Sequence, residues 1–309
     1  LLKSAWLSIF NILIISVVVL ALQPAMAATY AAMVMDARDG SVLHAENADQ
    51  RLHPASLTKM MTLYIAFEAV ENGEINLDTK VKISKKAASE PPSKLGLKAG
   101  QRIRLRYLIR AAAIKSANDA ATAIGEAIEG SEAAFARRMN RTAKALGMNR
   151  TTFKNAHGLT QQGHLSTAKD MTILGRHVFY DYPEYYNLFS RRTANAGIKK
   201  VRHTNTRFLA NYRGADGIKT GFTSAAGYTL TASAERGRER IITTVFGGRS
   251  IATRNRQVAK LMDLGFKKAP TNVSLRKPHL PNYSSMNLDA RKIKRSSGAV
   301  RKSLVPKPR

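Results

Sequence analysis

A serine and a lysine three residues apart, Ser56 and Lys59, have the types and spacing to do chemistry. They lie in the stretch HPASLTKMMT, whose helical composition would place both side chains on one face. A serine hydroxyl is a weak nucleophile until a base removes its proton, and a desolvated lysine can be that base. Because Ser-x-x-Lys is expected roughly once by chance in a chain this long, an ordinary helix start with a solvated lysine is the alternative.

Two later stretches supply further candidates. KSANDAA contains Ser116, a hydroxyl that could pass a proton to a leaving amine, and Asn118, whose carboxamide could hold a substrate amide. DGIKTGFTSAAGY contains Lys219, Thr220 and Gly221 on a predicted edge strand, where an extended peptide can pair with free backbone groups. Taken singly, the first is equally an interrupted helix with a local cap, and the second is equally a polar turn.

Together, in this order, the three motifs are the signature of penicillin-binding proteins and class A β-lactamases. The surrounding sequence resembles one family in particular, the low-molecular-mass penicillin-binding proteins that are serine D-alanyl-D-alanine carboxypeptidases. The resemblance runs from about Tyr30 to Phe266 and is carried by PASLTKMMT, SANDAA, FARRMNRTAKALGM, HGL, STAKDM, DGIKTGFTSAAGYTLTASA and GGRS. It implies a β-lactamase/transpeptidase-like fold and a hydrolase that trims the terminal D-alanine from peptidoglycan pentapeptides without metal or cofactor.

The resemblance also implies the roles of the motif residues. Ser56 is the nucleophile that forms the acyl-enzyme, and Lys59 is its general base. A lysine base must be neutral, so burial and nearby positive charge must lower its pKa, and Lys219 is the obvious source of that charge. Ser116 relays protons, and the backbone N–H groups of Ser56 and Phe222 form the oxyanion hole.

A second set is implied to bind the substrate strand and its terminal carboxylate: Asn118, Lys219, Thr220, Gly221, Phe222 and Arg254. Arg254 is near the start of the last predicted helix, where a guanidinium can bind a carboxylate with two hydrogen bonds, although a solvated helix residue is the alternative. Phe222 replaces a histidine found in some members, so rates or substrate preference are expected to differ. His157 and Asp170 are interpreted as structural supports of the rim of the site.

Three other functions compete with the carboxypeptidase. A class A β-lactamase needs a glutamate that holds a hydrolytic water, but Glu184 and Asn187 are three residues apart rather than four and lie far from the second motif. We therefore expect β-lactams to be covalent inhibitors that are released slowly. A peptidoglycan D,D-endopeptidase would differ mainly in acting on a cross-strand peptide. A non-catalytic wall- or membrane-binding protein would be expected to lack at least one motif residue.

The elements that must position these motifs follow from hydrophobic periodicity. Strands are predicted at Met33–Asp36 and Ser41–His44 around an Asp-Gly turn, and again at Ala226–Ala234 and Arg240–Gly248. Helical stretches are predicted from Leu57 to Gly73, from Arg104 to Leu146 with Ser131 as an N-cap and the second motif between segments, and from Ser250 to about Gly265. The sequence therefore predicts an α/β fold, in which both chain ends form one antiparallel sheet beside an all-helical lobe.

The N-terminal residues predict export, and the C-terminal residues predict a separate tail. Residues 1–27 are interpreted as a signal peptide, because the apolar run from Ala5 to Leu22 precedes Ala25 and Ala27 at the positions that signal peptidase reads. A retained membrane anchor is the alternative. The catalytic domain is predicted at residues 28–266, followed by a basic, disordered tail at residues 267–309.

The amino-acid composition limits the kinds of site and the partners that can be expected. The chain has no cysteine, which excludes disulfides, zinc-thiolate sites and cysteine nucleophiles. Its net charge of +29 favours an anionic partner, and outside the cytoplasm nucleic acid is not expected. We expect a protein of the periplasm or cell envelope, whose partners are peptidoglycan stem peptides, β-lactams as covalent inhibitors, and an anionic membrane or wall polymer bound by the basic tail.

Overall fold

The computed structural model describes residues 28–281 and residue 283 of the chain. The predicted signal peptide, and the tail beyond residue 283, lie outside the described residues. Among the helices of the described part, none combines the length and the apolar character needed to cross a membrane.

The described part of the chain forms nine strands: β1 (Ala31–Asp36), β2 (Val42–Glu46), β3 (Lys80–Lys82), β4 (Arg102–Arg104), β5 (Thr193–Asn195), β6 (Lys200–Arg202), β7 (Ala215–Thr223), β8 (Gly227–Arg236) and β9 (Glu239–Gly248). The nine α-helices of the described residues are α1 (Thr58–Glu71), α2 (Lys85–Ser89), α3 (Leu105–Arg110), α4 (Asn118–Glu129), α5 (Glu132–Ala145), α6 (Ala168–Asp181), α7 (Pro183–Tyr186), α8 (Thr206–Asn211) and α9 (Ile251–Lys268).

One five-stranded antiparallel sheet joins the two ends of the described chain, as the sequence predicts. Its strand order is β2-β1-β9-β8-β7, so β7, which carries the third motif, is an edge strand. Both predicted hairpins form, although β1 begins at Ala31 and β2 ends at Glu46, two residues beyond the predicted ends. A free backbone edge next to the motif residues is thus available to an extended ligand.

The sheet is covered on both faces. Met33 and Met35 of β1 belong to the core shared with the helical lobe, whereas Val34 belongs to a second core beneath α9. Successive side chains of a strand point to opposite faces, so a strand between two cores is buried throughout its length. All six residues of β1 are accordingly buried.

The helical lobe is interrupted at the second motif. After α3 the chain forms a π-helical turn over Ala111–Lys115, and Ser116 then takes a left-handed conformation, with φ of 64°, before α4 begins at Asn118. Single π turns occur frequently at functional sites because the extra residue redirects the following side chains. Further on, Ser131 is the N-cap of α5, as predicted, and its side chain accepts a hydrogen bond from the Ala134 N–H.

The C-terminal boundary differs from the prediction. The helix α9 continues to Lys268, so the tail predicted from residue 267 starts within this helix. The chain beyond it returns across the domain, because the Arg38 guanidinium donates to the carbonyl oxygens of Pro270 and Thr271. The first residues after α9 thus contact the folded domain, and the predicted disorder of the tail stays a prediction.

Replacing Arg38 with alanine is expected to lower the free energy of unfolding by about 3–5 kcal/mol. Arg38 binds Asp36 at 2.7 Å, and Asp36 has no solvent exposure, so the variant would leave a buried carboxylate unpaired. Urea unfolding measures the change. The exposed pair of Arg104 and Asp78, 3.8 Å apart, provides the control: Arg104→Ala should cost less than about 1 kcal/mol. Equal costs for the two variants would contradict the prediction.

Candidate active site

Ser56 lies in a one-turn 3-10 helix, Ala55–Leu57, immediately before α1. Ala55 has φ of 47°, a conformation that costs a non-glycine residue about 1–3 kcal/mol and is found mainly at functional sites. The turn is held from behind by Gly158, where a Cβ atom would stand 1.9 Å from the Ala55 carbonyl oxygen. The strained backbone at Ala55 and its close packing against Gly158 therefore hold the turn that presents Ser56.

Lys59 lies in the first turn of α1 with no solvent exposure. Its Nζ atom is 3.0 Å from Ser56 Oγ, 2.7 Å from Asn118 Oδ1 and 2.7 Å from the carbonyl oxygen of His157. The structure thus confirms the contact that the Ser-x-x-Lys spacing predicts and adds two oxygen partners.

The charge state of Lys59 follows from its surroundings. Burial lowers the pKa of its amine well below the usual value, and the positive charge of Lys219 lowers it further. Glu90 and Asp119 act in the opposite direction but do not offset these two effects. This shift is the one that a lysine needs if it is to act as a base near neutral pH.

A neutral amine in this position is aimed at the serine. It has two hydrogens and one lone pair, whereas Asn118 Oδ1 and the His157 carbonyl oxygen can only accept hydrogen bonds. When the amine is neutral and these two oxygens accept both of its hydrogens, its lone pair can accept a hydrogen bond from the Ser56 hydroxyl, whose oxygen is 3.0 Å from Nζ. The arrangement can remove the serine proton without any rearrangement.

The second motif contributes differently through its two residues. Asn118 Oδ1 contacts Lys59, and its Nδ2 group donates to the carbonyl oxygen of Pro91 at 2.9 Å, so both ends of the amide are engaged within the protein. Ser116 is buried at the junction before α4, with 6% of its surface exposed. The predicted proton relay by Ser116, and the predicted contact of Asn118 with substrate, stay predictions.

The third motif brings the sheet edge to the nucleophile. A Cβ atom on Gly221 would stand 2.9 Å from the Ser56 backbone nitrogen and 2.5 Å from Thr229 Oγ1, so only glycine leaves the Ser56 N–H approachable here. Thr220 Oγ1 donates to Thr204 Oγ1 at 2.7 Å, and Lys219 Nζ donates to the Thr220 carbonyl oxygen at 2.9 Å.

Lys219 and Arg254 form the cationic end of the site. Arg254, in the first turn of α9, is 3% exposed, and its guanidinium donates to Asn255 Oδ1 at 2.7 Å and to the Thr229 carbonyl oxygen at 3.4 Å. Burial, together with the positive charge of Arg254, lowers the pKa of Lys219 to about 7. Neither side chain pairs with a carboxylate within residues 28–281, and two such buried basic groups are suited to an anionic ligand group.

Replacing Lys219 with methionine is expected to raise stability below about pH 7. The folded protein releases this proton near pH 7, whereas the unfolded chain keeps it to its usual pKa of 10.5. The unfolded state therefore binds more protons between these values, and this residue's contribution rises with pH by up to about 1.4 kcal/mol per unit. The stability advantage of Lys219→Met, measured by urea unfolding, should shrink from pH 7 to pH 10. A constant advantage would contradict the prediction.

The side chains of three other residues considered in the sequence analysis make no hydrogen bond to Ser56 or Lys59. Phe222 is 53% exposed, and its ring centre is 4.4 Å from that of Tyr228 at the mouth of the sheet edge. Asp170 accepts hydrogen bonds from the Arg150 backbone N–H and the Thr151 hydroxyl, which is a structural contact. Glu184 is exposed, on α7, and makes no side-chain hydrogen bond or salt bridge among the described residues.

His157 is closer to the chemistry than the sequence suggests, because its carbonyl oxygen is a direct partner of Lys59. Its ring also lies between two buried carboxylates, Glu90 and Glu132, which the sequence reasoning missed. The potential ligand atoms of these three residues lie within 4.8 Å of one another, yet Lys86 Nζ lies 2.5 Å from Glu132. The cluster is thus a hydrogen-bonded unit already satisfied by protein groups.

A strained serine turn, a buried lysine base and a cationic sheet edge define a serine acyl-transfer site of the penicillin-binding type. The sequence matches the D-alanyl-D-alanine carboxypeptidase family, peptidase S11, over residues 18–250, and the chain belongs to this family. D-alanyl-D-alanine carboxypeptidase DacF of Bacillus subtilis is 38% identical over 244 residues, which cover 78% of this chain and 63% of that protein. The chain spans less than two thirds of the length of this protein and of other curated relatives from Escherichia coli.

Solved structures show the same architecture. Penicillin-binding protein 5 from Haemophilus influenzae is similar with a TM-score of 0.74 and 34% identity, covering 80% of this chain and 73% of that one. Penicillin-binding protein D2 from Listeria monocytogenes, in its cefotaxime-bound form, is similar with a TM-score of 0.70 and 36% identity, covering 76% of this chain and 96% of that one. The predicted fold class is confirmed.

Proposed function

We propose that this protein is a serine-type D-alanyl-D-alanine carboxypeptidase that removes the terminal D-alanine from peptidoglycan pentapeptides. The observation that carries the proposal is the environment of Lys59, whose buried Nζ atom lies 3.0 Å from Ser56 Oγ, 2.7 Å from Asn118 Oδ1 and 2.7 Å from the His157 carbonyl oxygen. The family membership supports the same chemistry.

The reaction follows from these positions. Lys59 takes the proton of Ser56, and the serine oxygen attacks the carbonyl carbon between the two D-alanine residues. The negative charge that develops on the carbonyl oxygen is stabilised by the N–H groups of Ser56 and Phe222. The C–N bond then breaks, and the leaving amine of D-alanine receives a proton through Ser116. Water finally hydrolyses the ester on Ser56 and releases the shortened peptide.

The substrate's carboxylate has an obvious place in this scheme. Lys219 is buried in the middle of the edge strand β7, Arg254 is buried in the first turn of α9, and Thr220 adds a hydroxyl next to Lys219. A peptide paired to β7 would direct its C-terminal carboxylate to this group and its scissile carbonyl to Ser56. Selection of a free terminal carboxylate is what separates a carboxypeptidase from an endopeptidase.

β-Lactams are proposed to acylate Ser56 and leave slowly. The relative from Listeria monocytogenes was solved in a cefotaxime-bound form, which supports the first half of this proposal. The exposed position of Glu184 supports the second half, because a β-lactamase needs a glutamate that holds water against the ester.

Export is part of the proposal. The N-terminal apolar run supports secretion to the periplasm or cell envelope, where peptidoglycan is found. The basic tail is proposed to hold the enzyme near an anionic membrane or wall polymer, since each lysine or arginine near such a surface adds up to about 1 kcal/mol.

The test is intact-mass spectrometry of the purified protein after brief incubation with a penicillin, beside the Ser56→Ala variant. The expected result is a stable adduct of one drug mass that the variant lacks. Release of D-alanine from a pentapeptide by the unmodified protein alone completes the assignment. No adduct together with intact drug would exclude the enzyme, and no adduct together with hydrolysed drug would indicate a β-lactamase instead.

A further inference from the structure

The buried carboxylates beside His157 take no part in the reaction described above. Glu90 and Glu132 are 7% and 6% exposed, and each has an oxygen 3.4 Å from His157 Nε2. Burial of a carboxylate is unfavourable unless it is paired and hydrogen-bonded, so a protein retains two such groups together at a cost. Both carboxylates contact His157, whose carbonyl oxygen accepts from Lys59, so they can position that oxygen.

The hydrogen bonds of His157 define its tautomer. The Leu159 backbone N–H donates to His157 Nδ1 at 3.1 Å, so this nitrogen carries no hydrogen, and the hydrogen of the neutral ring is on Nε2. That N–H points between Glu90 Oε2 and Glu132 Oε1. The ring is therefore held from both sides, and with it the peptide whose carbonyl oxygen accepts from Lys59.

Glu132 holds this peptide segment a second time. The same Oε1 atom accepts a hydrogen bond from the Ala156 backbone N–H at 3.1 Å, one residue before His157. Glu132 is the first residue of α5, where the positive end of the helix dipole favours a negative charge. Lys86 Nζ forms a salt bridge with the other carboxylate oxygen, Glu132 Oε2, at 2.5 Å.

Glu90 reaches the second partner of Lys59. Thr122 Oγ1 donates to Glu90 Oε1 at 2.9 Å and fixes the start of the loop that follows. The next residue, Pro91, accepts from Asn118 Nδ2 at 2.9 Å, and this bond determines that Asn118 Oδ1 faces Lys59. Both oxygens that take hydrogens from Lys59 are thus positioned from the cluster around Glu90.

We propose that Glu90, His157 and Glu132 form a positioning unit that directs the lone pair of Lys59 at Ser56, and that the charge of Glu90 sets the pH range in which Lys59 is a base. The inference rests on the proposed function and concerns residues that do not touch the substrate.

The charged groups around Lys59 give the sign of the effect. Lys219 of β7 favours the neutral amine, whereas Glu90 of the loop and Asp119 of α4 favour the protonated one. Asp119 is committed to the backbone N–H groups of Leu95, Gly96 and Leu97, so Glu90 is the carboxylate best changed without disturbing backbone contacts. Removal of its charge should make Lys59 a base at lower pH.

The experiment is the pH profile of the second-order rate constant for acylation by a fluorescent penicillin, because this constant reports ionisations of the free enzyme. Glu90→Gln keeps the shape and removes the charge, and its acid limb is expected about 0.5–1 pH unit lower than that of the wild type. Glu90→Ala should show the same shift and a plateau at least tenfold lower, which Glu90→Gln largely restores. The control is Glu184→Gln, an exposed glutamate whose loss should change neither quantity.

The outcomes separate the two levels of the inference. An acylated wild type with unmoved acid limbs in both Glu90 variants would overturn the positioning unit alone, even if the plateau fell. A wild type that is not acylated at any pH would overturn the proposed function and this inference with it. If the Glu90 variants do not fold, Thr122→Val, which removes only the bond to Glu90, decides: a lowered plateau supports the unit, and a wild-type profile overturns it.

Discussion

Replacing Lys59 with methionine is expected to lower the acylation rate by about 10²- to 10⁴-fold, which is the range that a positioned general base contributes. Methionine keeps the length and apolar stem of lysine but cannot accept the proton of Ser56. The change in stability is expected to be small, because the removal of a buried amine is favourable whereas Asn118 Oδ1 and the His157 carbonyl oxygen lose a hydrogen-bond donor. Stopped-flow acylation by a fluorescent penicillin and urea unfolding measure the two effects.

Lys169→Met is the matched control, because this lysine is exposed and forms a surface ion pair with Asp49 at 3.5 Å. It should leave the acylation rate within twofold of the wild type. An acylation rate in Lys59→Met that also stays within tenfold would show that another group removes the serine proton. A large loss of stability would show instead that the hydrogen bonds from Lys59 to Asn118 and His157 outweigh the cost of burying its amine.

The motif residues could be predicted from the sequence because they are recognised by residue type and spacing alone. Ser56 and Lys59 are joined by one helical turn, so their contact is local and follows from spacing alone. The meeting of Lys59 with Asn118 is long-range, and only the resemblance to a known family made it predictable. The strands of the sheet could be predicted from their alternating hydrophobic pattern and from the turn residues between them. In the structure β7 is an edge strand, as predicted for the third motif.

What could not be predicted are the contacts made by backbone atoms and the buried charges. The partner of Lys59 at His157 is a carbonyl oxygen, which any residue type would offer, so no letter of the sequence marks it. Glu90 and Glu132 look like ordinary surface acids in a charged chain, since burial depends on the tertiary fold. The contact of Arg38 with the Pro270 carbonyl oxygen is of the same kind, because it involves the backbone of the tail rather than its side chains.

Gly158→Ala is expected to destabilise the protein by more than about 4 kcal/mol and to reduce acylation at least tenfold. The new Cβ atom would stand 1.9 Å from the Ala55 carbonyl oxygen and 2.7 Å from Thr58 Oγ1, so the turn that presents Ser56 must move. The residue also has φ of 88°, which adds about 1–2 kcal/mol of strain for alanine. A displacement of the nucleophile by a fraction of an ångström is enough to disturb its alignment with Lys59.

Gly130→Ala separates these two causes. Gly130 ends α4 with φ of 77°, nearly the conformation of Gly158, but a Cβ atom there would meet nothing within 4 Å. The control should therefore lose only the strain, about 1–2 kcal/mol, and keep its full acylation rate. Thermal unfolding and the acylation assay on both variants give the comparison. Similar losses for the two would mean that backbone strain alone, and not the contact behind Ser56, makes Gly158 necessary; a larger loss confined to Gly158→Ala would locate the support of the nucleophile in that contact.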